Sequence, residues 1–383
     1  MNILHIHQDY PDNTHYPYTK AVSNLIAATR IESSEVGHFV VSINRTSNPL
    51  KVRVKPFDDG LSIIYWGIPL PYIYIFTLWL CHLLILFKIK DHKFDVVHGH
   101  KLTTEGYLAF KIAKAIGVPY IVSIRGGSDQ HNFNRLSIHK SIFLEVYNNA
   151  QLIFWVSPWM KFEIEQLLGH TLTQQTLLPN ICDIDLNDNA VYSTNLSNTH
   201  FKFLTVLSFH QYKRKGILEL IQAFAQLNES GVDAHLDIYG TGPQWVEDII
   251  QSEIKSLNIN NIQLKGQVSQ QHIRSQMKNS IGFLLPSINE TFGMAYIEAL
   301  SVGCPIMYTK GTGVDGFFDE YTIGFKVSSQ NPKMLYETIQ YFITQKNTLS
   351  QGFEAMHRDK VLQQFQAHNV AKMYLHKIME QIA

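Results

Sequence analysis

Short apolar runs alternate with amphipathic stretches along the first half of the chain. Residues 2–7 ("NILHIH") precede a helical pattern over 19–30, and 38–43 ("HFVVSI") follows it. Then come 95–100 ("DVVHGH"), a helical pattern over 104–116, and the runs 119–124 ("PYIVSI") and 152–157 ("LIFWVS"). Strand, helix and strand in this rhythm predict parallel βαβ units. Gly117-Val118-Pro119 marks a helix end followed by a strand start.

A polar, turn-rich stretch, "DIDLNDNAVYSTNLSNTH" (183–200), interrupts the rhythm and predicts a linker. The alternation then resumes with 201–209, a helix over 216–228, and strands at 234–240, 262–268, 281–287 and 305–309. At 383 residues the chain exceeds what one hydrophobic core sustains, so two domains are expected. The expected boundaries are a first Rossmann-like domain over 1–185, a linker over 186–200, a second such domain over 201–365 and a last segment over 366–383. The fold class is α/β, two doubly wound domains facing across a cleft, with the ligand between the carboxyl ends of both sheets. No period of 20–50 residues recurs, so a solenoid is excluded.

Charge narrows the partners. Lysine plus arginine equals aspartate plus glutamate at 32 each, which argues against a nucleic-acid binder. Cys81, Cys182 and Cys304 lie far apart with no metal-type spacing, as expected in a reducing compartment. The start "MNILHIHQDYP" reads as a strand and lacks the features of a signal peptide, so a cytoplasmic location is expected. The uncharged run 72–87 ("YIYIFTLWLCHLLILF"), followed by Lys88, Lys90 and Lys93, is shorter than the roughly 20 residues of a membrane span. It is a buried helix, a helix whose outer side touches a membrane surface, giving peripheral contact through 72–93 at the inner face, or least of all a true span.

The candidate chemistry sits at strand ends. Lys213, Arg214 and Lys215 crowd the turn before Gly216 opens a helix, which makes an anion site of cations and free backbone N–H groups. Gly240-Thr241-Gly242-Pro243 and Gly266 follow two other strands, where glycine permits close approach of a ligand. In "LLPSINETFGMAYIEAL" (284–300), Thr291 is the expected N-cap of a helix starting at Gly293. Glu290 then lies in the loop and Glu298 about two turns into the helix, with the N–H groups of Phe292, Gly293 and Met294 between them. Carboxylates accept from sugar and ribose hydroxyls, and helix N–H groups bind phosphate, so the order matches a nucleotide sugar. In the first half, Arg125 and Asp129 in "SIRGGSDQH" flank a Gly-Gly turn placed to hold the transferred group. His5/His7 and His98/His100 alternate along strands, so each pair shares one face. No third zinc ligand is evident, and no metal is expected.

The segment "PSINETFGMAYIEALSVGCPI" resembles the E-x7-E signature of retaining glycosyltransferases of family four, which have the GT-B architecture. "VGHFVVSI", "DVVHGH", "VSPWMKFEIEQLLG", "LLPNICD", "KRKG", "YGTGP" and "LKGQVSQQHIRSQMKNS" agree with that family in order and spacing, so the resemblance covers nearly the whole chain. It implies that Glu290 holds donor-sugar hydroxyls, that N–H groups around Phe292 and Gly293 meet sugar and diphosphate, and that Glu298 holds the ribose. It places Lys215 at the leaving diphosphate and Gly242 and the Gly266–Val268 turn near base and phosphates. It also implies a final helix, about 368–381, that returns to the first domain. The implied reaction is transfer with retention from a nucleotide-sugar donor to a glycan or lipid-linked acceptor, without a metal or a side-chain nucleophile.

Three positions depart from the family pattern. Arg125 stands where many relatives have histidine, and arginine is no general base at neutral pH. His210 replaces the arginine usual five residues before the lysine, a charge Arg214 can supply. "HYPYTKA" (15–21) replaces an N-terminal Gly-Gly turn. A dinucleotide oxidoreductase is excluded, because "HIHQDYPDN" after the first strand has no glycine. A nucleotide-sugar epimerase and a silent nucleotide-sugar-binding partner subunit remain as alternatives to a transferase.

Overall fold

The computed structural model describes residues 1–14, 19–68, 70–186 and 201–382. The expected linker residues 187–200 and residues 15–18 of the "HYPYTKA" stretch lie outside the described residues. The chain divides into two compact units, one of Met1–Ile181 with Phe365 to the C-terminus, the other of Cys182–Gln364. The second unit therefore begins at Cys182, ahead of the expected linker at 186–200.

The first unit is built on strands β1 (Asn2–Gln8), β2 (Gly37–Thr46), β3 (Arg53–Phe57), β4 (Gly60–Trp66), β5 (Val96–Gly99), β6 (Tyr120–Ile124), β7 (Leu152–Trp155) and β8 (Gln174–Leu177). Their order is β3-β4-β2-β1-β5-β6-β7-β8, and all pairs are parallel except β3 with β4. Alternate residues feed two apolar layers, which is why the strands read as continuous apolar runs. Leu4, Val41, Val97 and Val122 face one layer, whereas Ile3, Val96, Ile121 and Leu152 face the other. The second layer is closed by helix Ala21–Glu32 and by the last helix, Ala367–Ile382, through Leu25, Val370, Tyr374, Leu375 and Ile378. Helix Thr104–Ile116 ends on Gly117 at φ 75°, the left-handed cap its sequence signals.

Helix Pro71–Ile89 settles which face of the 72–87 run is buried. Tyr74, Thr77, Leu78, Cys81, Ile85 and Ile89 pack inward. Tyr72, Phe76, Trp79, Leu80, Leu83 and Phe87 form a second stripe, all exposed, with Tyr72 83% and Phe87 64% accessible. By length and composition this helix could also cross a membrane.

The second unit carries β9 (Phe201–Val206), β10 (Ala234–Tyr239), β11 (Ile262–Gly266), β12 (Gly282–Leu284), β13 (Ile306–Thr309) and β14 (Gly324–Val327), in the order β11-β10-β9-β12-β13-β14. All pairs are parallel. Phe203, Phe224 and Phe342 meet edge to face in its core. Each sheet reverses its winding once, between β1 and β5 and between β9 and β12. Ligands of doubly wound folds bind outside the carboxyl ends of strands at such a reversal.

Candidate active site

In the second unit, the segments leaving β9 and β12 at their carboxyl ends meet. The chain after β9 turns through Phe209–Gln211 and reaches Gly216, whose φ of 65° opens helix Ile217–Glu229. A side chain at Gly216 would strike Gln330, whose amide donates to Arg214 O and Pro286 O at 3.0 and 2.7 Å. That clamp ties the basic turn to the loop after β12, where Ile288 N donates to Arg214 O at 3.0 Å.

The clamp sets two cations on one carboxylate. Lys215 Nζ donates to Glu290 Oε2, Arg214 Nη1 lies 3.9 Å from the same oxygen, and Ser287 Oγ donates to it at 3.2 Å. Arg214 is itself held by Asn289 O at 2.9 Å and Gln211 Oε1 at 2.6 Å. Lys215 and Glu290 are 12% and 14% exposed, so their charges act through little water.

Helix Met294–Ser301 follows with Gly293 at its N-cap position, not the expected Thr291. Gly293 has φ 79°, and a Cβ there would sit 2.3 Å from the buried Tyr296 ring. The sharp left-handed turn thus needs glycine, and it sets the start of the helix beside Glu290, whose Cγ lies 3.4 Å from where that Cβ would be. Phe292 is buried against Phe317, and Met294 is half exposed at the first turn.

Glu298 lies further along this helix and accepts from Gln270 Nε2 at 3.1 Å. Burial raises its pKa, while Arg274 opposes that shift. Arg274 also bonds Asp183, through the backbone oxygen and, at 3.3 Å, the carboxylate. Sequence reasoning missed Gln270 and Arg274 as individual contributors. Their signal is Ser269, whose side chain caps helix Gln270–Lys278 and leaves 270 and 274 one turn apart on one face.

The remaining second-unit residues line neighbouring strand ends. A Cβ at Gly242 would lie 2.6 Å from Phe209 Cβ, so the Gly240–Pro243 turn packs directly on the segment that carries the exposed His210. Gly266, at φ 69°, accepts from Gly240 N at 3.0 Å and faces open space; Val268 is half buried beyond it.

In the first unit, Arg125 follows β6 and donates from Nη1 to Asn180 Oδ1 at 2.7 Å. Burial pushes its pKa down to about 10, so it stays cationic at neutral pH. Its Nε is buried with no partner. Asp129 does not present itself to a ligand. It is fully buried, and its carboxylate accepts from Leu102 N, Thr103 N and Thr103 Oγ1 at 3.2, 2.9 and 3.0 Å. Burial raises its pKa to about 6 against those bonds. The sequence places Asp129 beside the Gly-Gly turn, but helix Gly127–Arg135 turns it inward to hold the 102–103 loop.

Comparison with known proteins gives this geometry a family. Residues 194–355 match the model for glycosyl transferases group 1, and residues 32–186 match that for glycosyltransferase family 4. The gpi3 subunit of phosphatidylinositol N-acetylglucosaminyltransferase from Schizosaccharomyces pombe is 24% identical over 294 residues, covering 73% of this chain and 60% of the relative. The chain thus spans less than two thirds of that relative's length. Alpha-monoglucosyldiacylglycerol synthase from Acholeplasma laidlawii is 23% identical over 305 residues, 74% of this chain and 75% of the relative. Among solved structures, Anabaena Alr3699/HepE in complex with UDP superposes with a TM-score of 0.68 at 16% identity, over 99% of this chain and all of that one. The chain belongs to the group 1, family four glycosyltransferases and has their GT-B architecture of two Rossmann-like domains.

Proposed function

We propose that the chain transfers a sugar, with retention and without a metal, from a nucleoside-diphosphate sugar to a glycan or lipid-linked acceptor. A UDP-sugar is favoured over a GDP-sugar, as the UDP bound by the Anabaena structure suggests. The observation that carries this reading is the convergence of Lys215, Arg214 and a helix N-terminus on Glu290 at the β9/β12 reversal. In the reaction the glycosyl–phosphate bond breaks and a bond to an acceptor oxygen forms. The acceptor proton leaves with the diphosphate. Negative charge develops on the leaving phosphate, where two cations and N–H dipoles stand preorganised.

Glu298 takes the ribose hydroxyls and Glu290 the donor-sugar hydroxyls in this reading. Glu298→Ala weakens binding of UDP alone by about 10- to 100-fold, the loss of one or two charge-assisted hydrogen bonds. Glu290→Ala leaves UDP affinity within about threefold and reduces transfer instead. Calorimetric titration of UDP and GDP into both variants checks this; equal loss of nucleotide affinity in both would sink the division of roles. One observation favours a second reading. Arg125 cannot take a proton, so tight UDP-sugar binding with no transfer across an acceptor panel would identify a silent binding subunit.

In this reading the acceptor lies at the inner face of the membrane and the product is a cell-surface polysaccharide. Two relatives with lipid names support this, as does the exposed stripe Tyr72, Phe76, Trp79, Leu80, Leu83 and Phe87 beside Lys88, Lys90 and Lys93. Aromatic residues with flanking lysines suit an anionic lipid interface. Replacing Phe76, Trp79 and Leu83 by serine lowers partitioning onto phosphatidylglycerol vesicles by about 10-fold or more. Sedimentation at unchanged partitioning would refute the contact.

A further inference from the structure

The two histidine pairs singled out by their alternation come together in the first unit. His5 on β1 stands directly opposite His98 on β5, and His100 lies two residues further along the same face. Backbone register alone therefore gathers three imidazoles from neighbouring parallel strands. One ring nitrogen from each of His5, His98 and His100 lies within 4.8 Å of the others, and all three side chains are fully buried. The third ligand that sequence spacing could not supply comes from the strand order.

Hydrogen-bond directions show how the rings are held. The Thr29 hydroxyl donates its proton to Ile26 O at 2.9 Å, so it accepts from His38 Nε2–H at 3.0 Å. His38 Nδ1 must then accept from His5 Nε2–H at 3.0 Å. His5 Nδ1 is consequently a lone pair, aimed at His100 Nε2 2.9 Å away. His98 is gripped on both sides, by Tyr374 Oη at 2.9 Å and Ser123 Oγ at 2.8 Å. His100 Nδ1 is buried with no partner. His5 and His98 therefore have the support of metal-binding histidines, in which the nitrogen away from the metal is fixed by an outer partner, and His100 does not.

We propose that His5, His98 and His100 form a site for one late first-row dication, zinc above all. Three neutral imidazoles suit zinc, nickel or copper and not the oxygen-seeking magnesium or calcium. Zinc would take the place of the proton between His5 Nδ1 and His100 Nε2, and that proton would move to His100 Nδ1, so all three imidazoles stay neutral. That nitrogen pair would open to about 3.3 Å, the spacing of tetrahedral ligands at Zn–N near 2.0–2.1 Å. His98 would ligate through one nitrogen while Ser123 or Tyr374 keeps the other. Nearby, Lys101 lies 3.4 Å from Asp9 and 3.6 Å from Glu105, and Arg125 adds a further positive charge. With no carboxylate among the ligands, a hydroxide as fourth ligand would offset part of the cation's charge. The cation ties β1 to β5 and, through His98 and Tyr374, to the last helix. It lies in the unit that does not hold Lys215 and Glu290, so the site is independent of the proposed donor chemistry.

The test uses the full chain, stripped with a chelator and titrated with zinc and cobalt. The expected results are about one equivalent of zinc retained after desalting, and a cobalt form with the intense visible bands of tetrahedral coordination. His100→Gln and His98→Gln lower zinc affinity by about 100-fold or more, and His376→Gln, an exposed control, leaves it unchanged. Zinc raises the melting temperature of the wild type and not of His100→Gln. Retention of well under one equivalent, an octahedral cobalt spectrum, or undiminished zinc affinity in both ligand variants overturns the site. The cobalt spectrum is read on the wild type, so the proposal stays testable if either variant fails to fold.

Discussion

Replacing Lys215 by alanine is expected to lower kcat for sugar transfer by about 100- to 1000-fold, the cost of removing one preorganised group from a developing anion. The lysine sits at the carboxyl end of β9, reaches Glu290 across the reversal point, and is only 12% exposed. A charge so placed is worth several-fold more than one in open water, because the effective dielectric is nearer 20 than 80. Without Lys215, Arg214 at 3.9 Å is the remaining cation on Glu290 among the described residues, and its guanidinium is already committed to Asn289 O and Gln211. Lys215→Arg should recover only part of the rate, since a planar fork does not reproduce the ammonium's position. Glu290→Ala should also be strongly impaired, and the double variant little worse than the more damaged single one, because the two side chains act as a unit. Melting temperatures separate chemistry from folding: a partly exposed pair contributes about 1–2 kcal/mol, or a few degrees for a unit of this size. A Lys215→Ala enzyme with kcat within threefold of wild type would remove the lysine from the mechanism.

The pairing of Lys215 with Glu290 marks the border of what sequence makes legible. Most inner strands of both cores were readable because they are buried on both faces and so appear as apolar runs, whereas β4, β8 and β14 were not picked out. Strand β3 escaped notice because it is the antiparallel edge of its sheet. Arg53, Lys55 and Pro56 there are exposed, and the pattern looks like a polar loop. The two glutamates were legible as a pair because one helix start separates them. Their partners were not, because strand order is a property of tertiary packing: β9 and β12 are 75 residues apart where Lys215 meets Glu290. The same holds for His5 and His98, joined by a cross-strand register that no spacing rule contains. Asp129 misled for a local reason. A carboxylate beside a Gly-Gly turn looks like a ligand group until the following helix rotates it into the unit's interior. Thr291 misled similarly, since its hydroxyl suits an N-cap but the turn required a left-handed residue two positions later.

Tyr374→Ala is expected to destabilise the first unit by about 3–5 kcal/mol, the range for truncating a fully buried aromatic side chain. The last helix buries Val370, Ala371, Tyr374, Leu375 and Ile378, a stripe that recurs every three to four residues and faces Ile3, Val96, Ile121 and Leu152. Tyr374 is the largest member of that stripe. Its ring lies 5.5 Å from Phe154 and 5.6 Å from His98, and its hydroxyl bonds His98 Nδ1. Alanine removes both the packing and the hydrogen bond, whereas Tyr374→Phe removes only the second and should cost about 1–2 kcal/mol. The difference between the two variants therefore measures what the ring contributes to holding a segment distant in sequence against β1 and β5. Denaturant unfolding of the first unit reads both values, at about 2–4 °C of melting temperature per kcal/mol. UDP affinity serves as the control, because the residues proposed to bind it belong to the second unit and should keep their geometry. An alanine variant as stable as wild type would mean that the final helix adds no stability to the first unit, and that its return is a consequence of chain length and not of Tyr374.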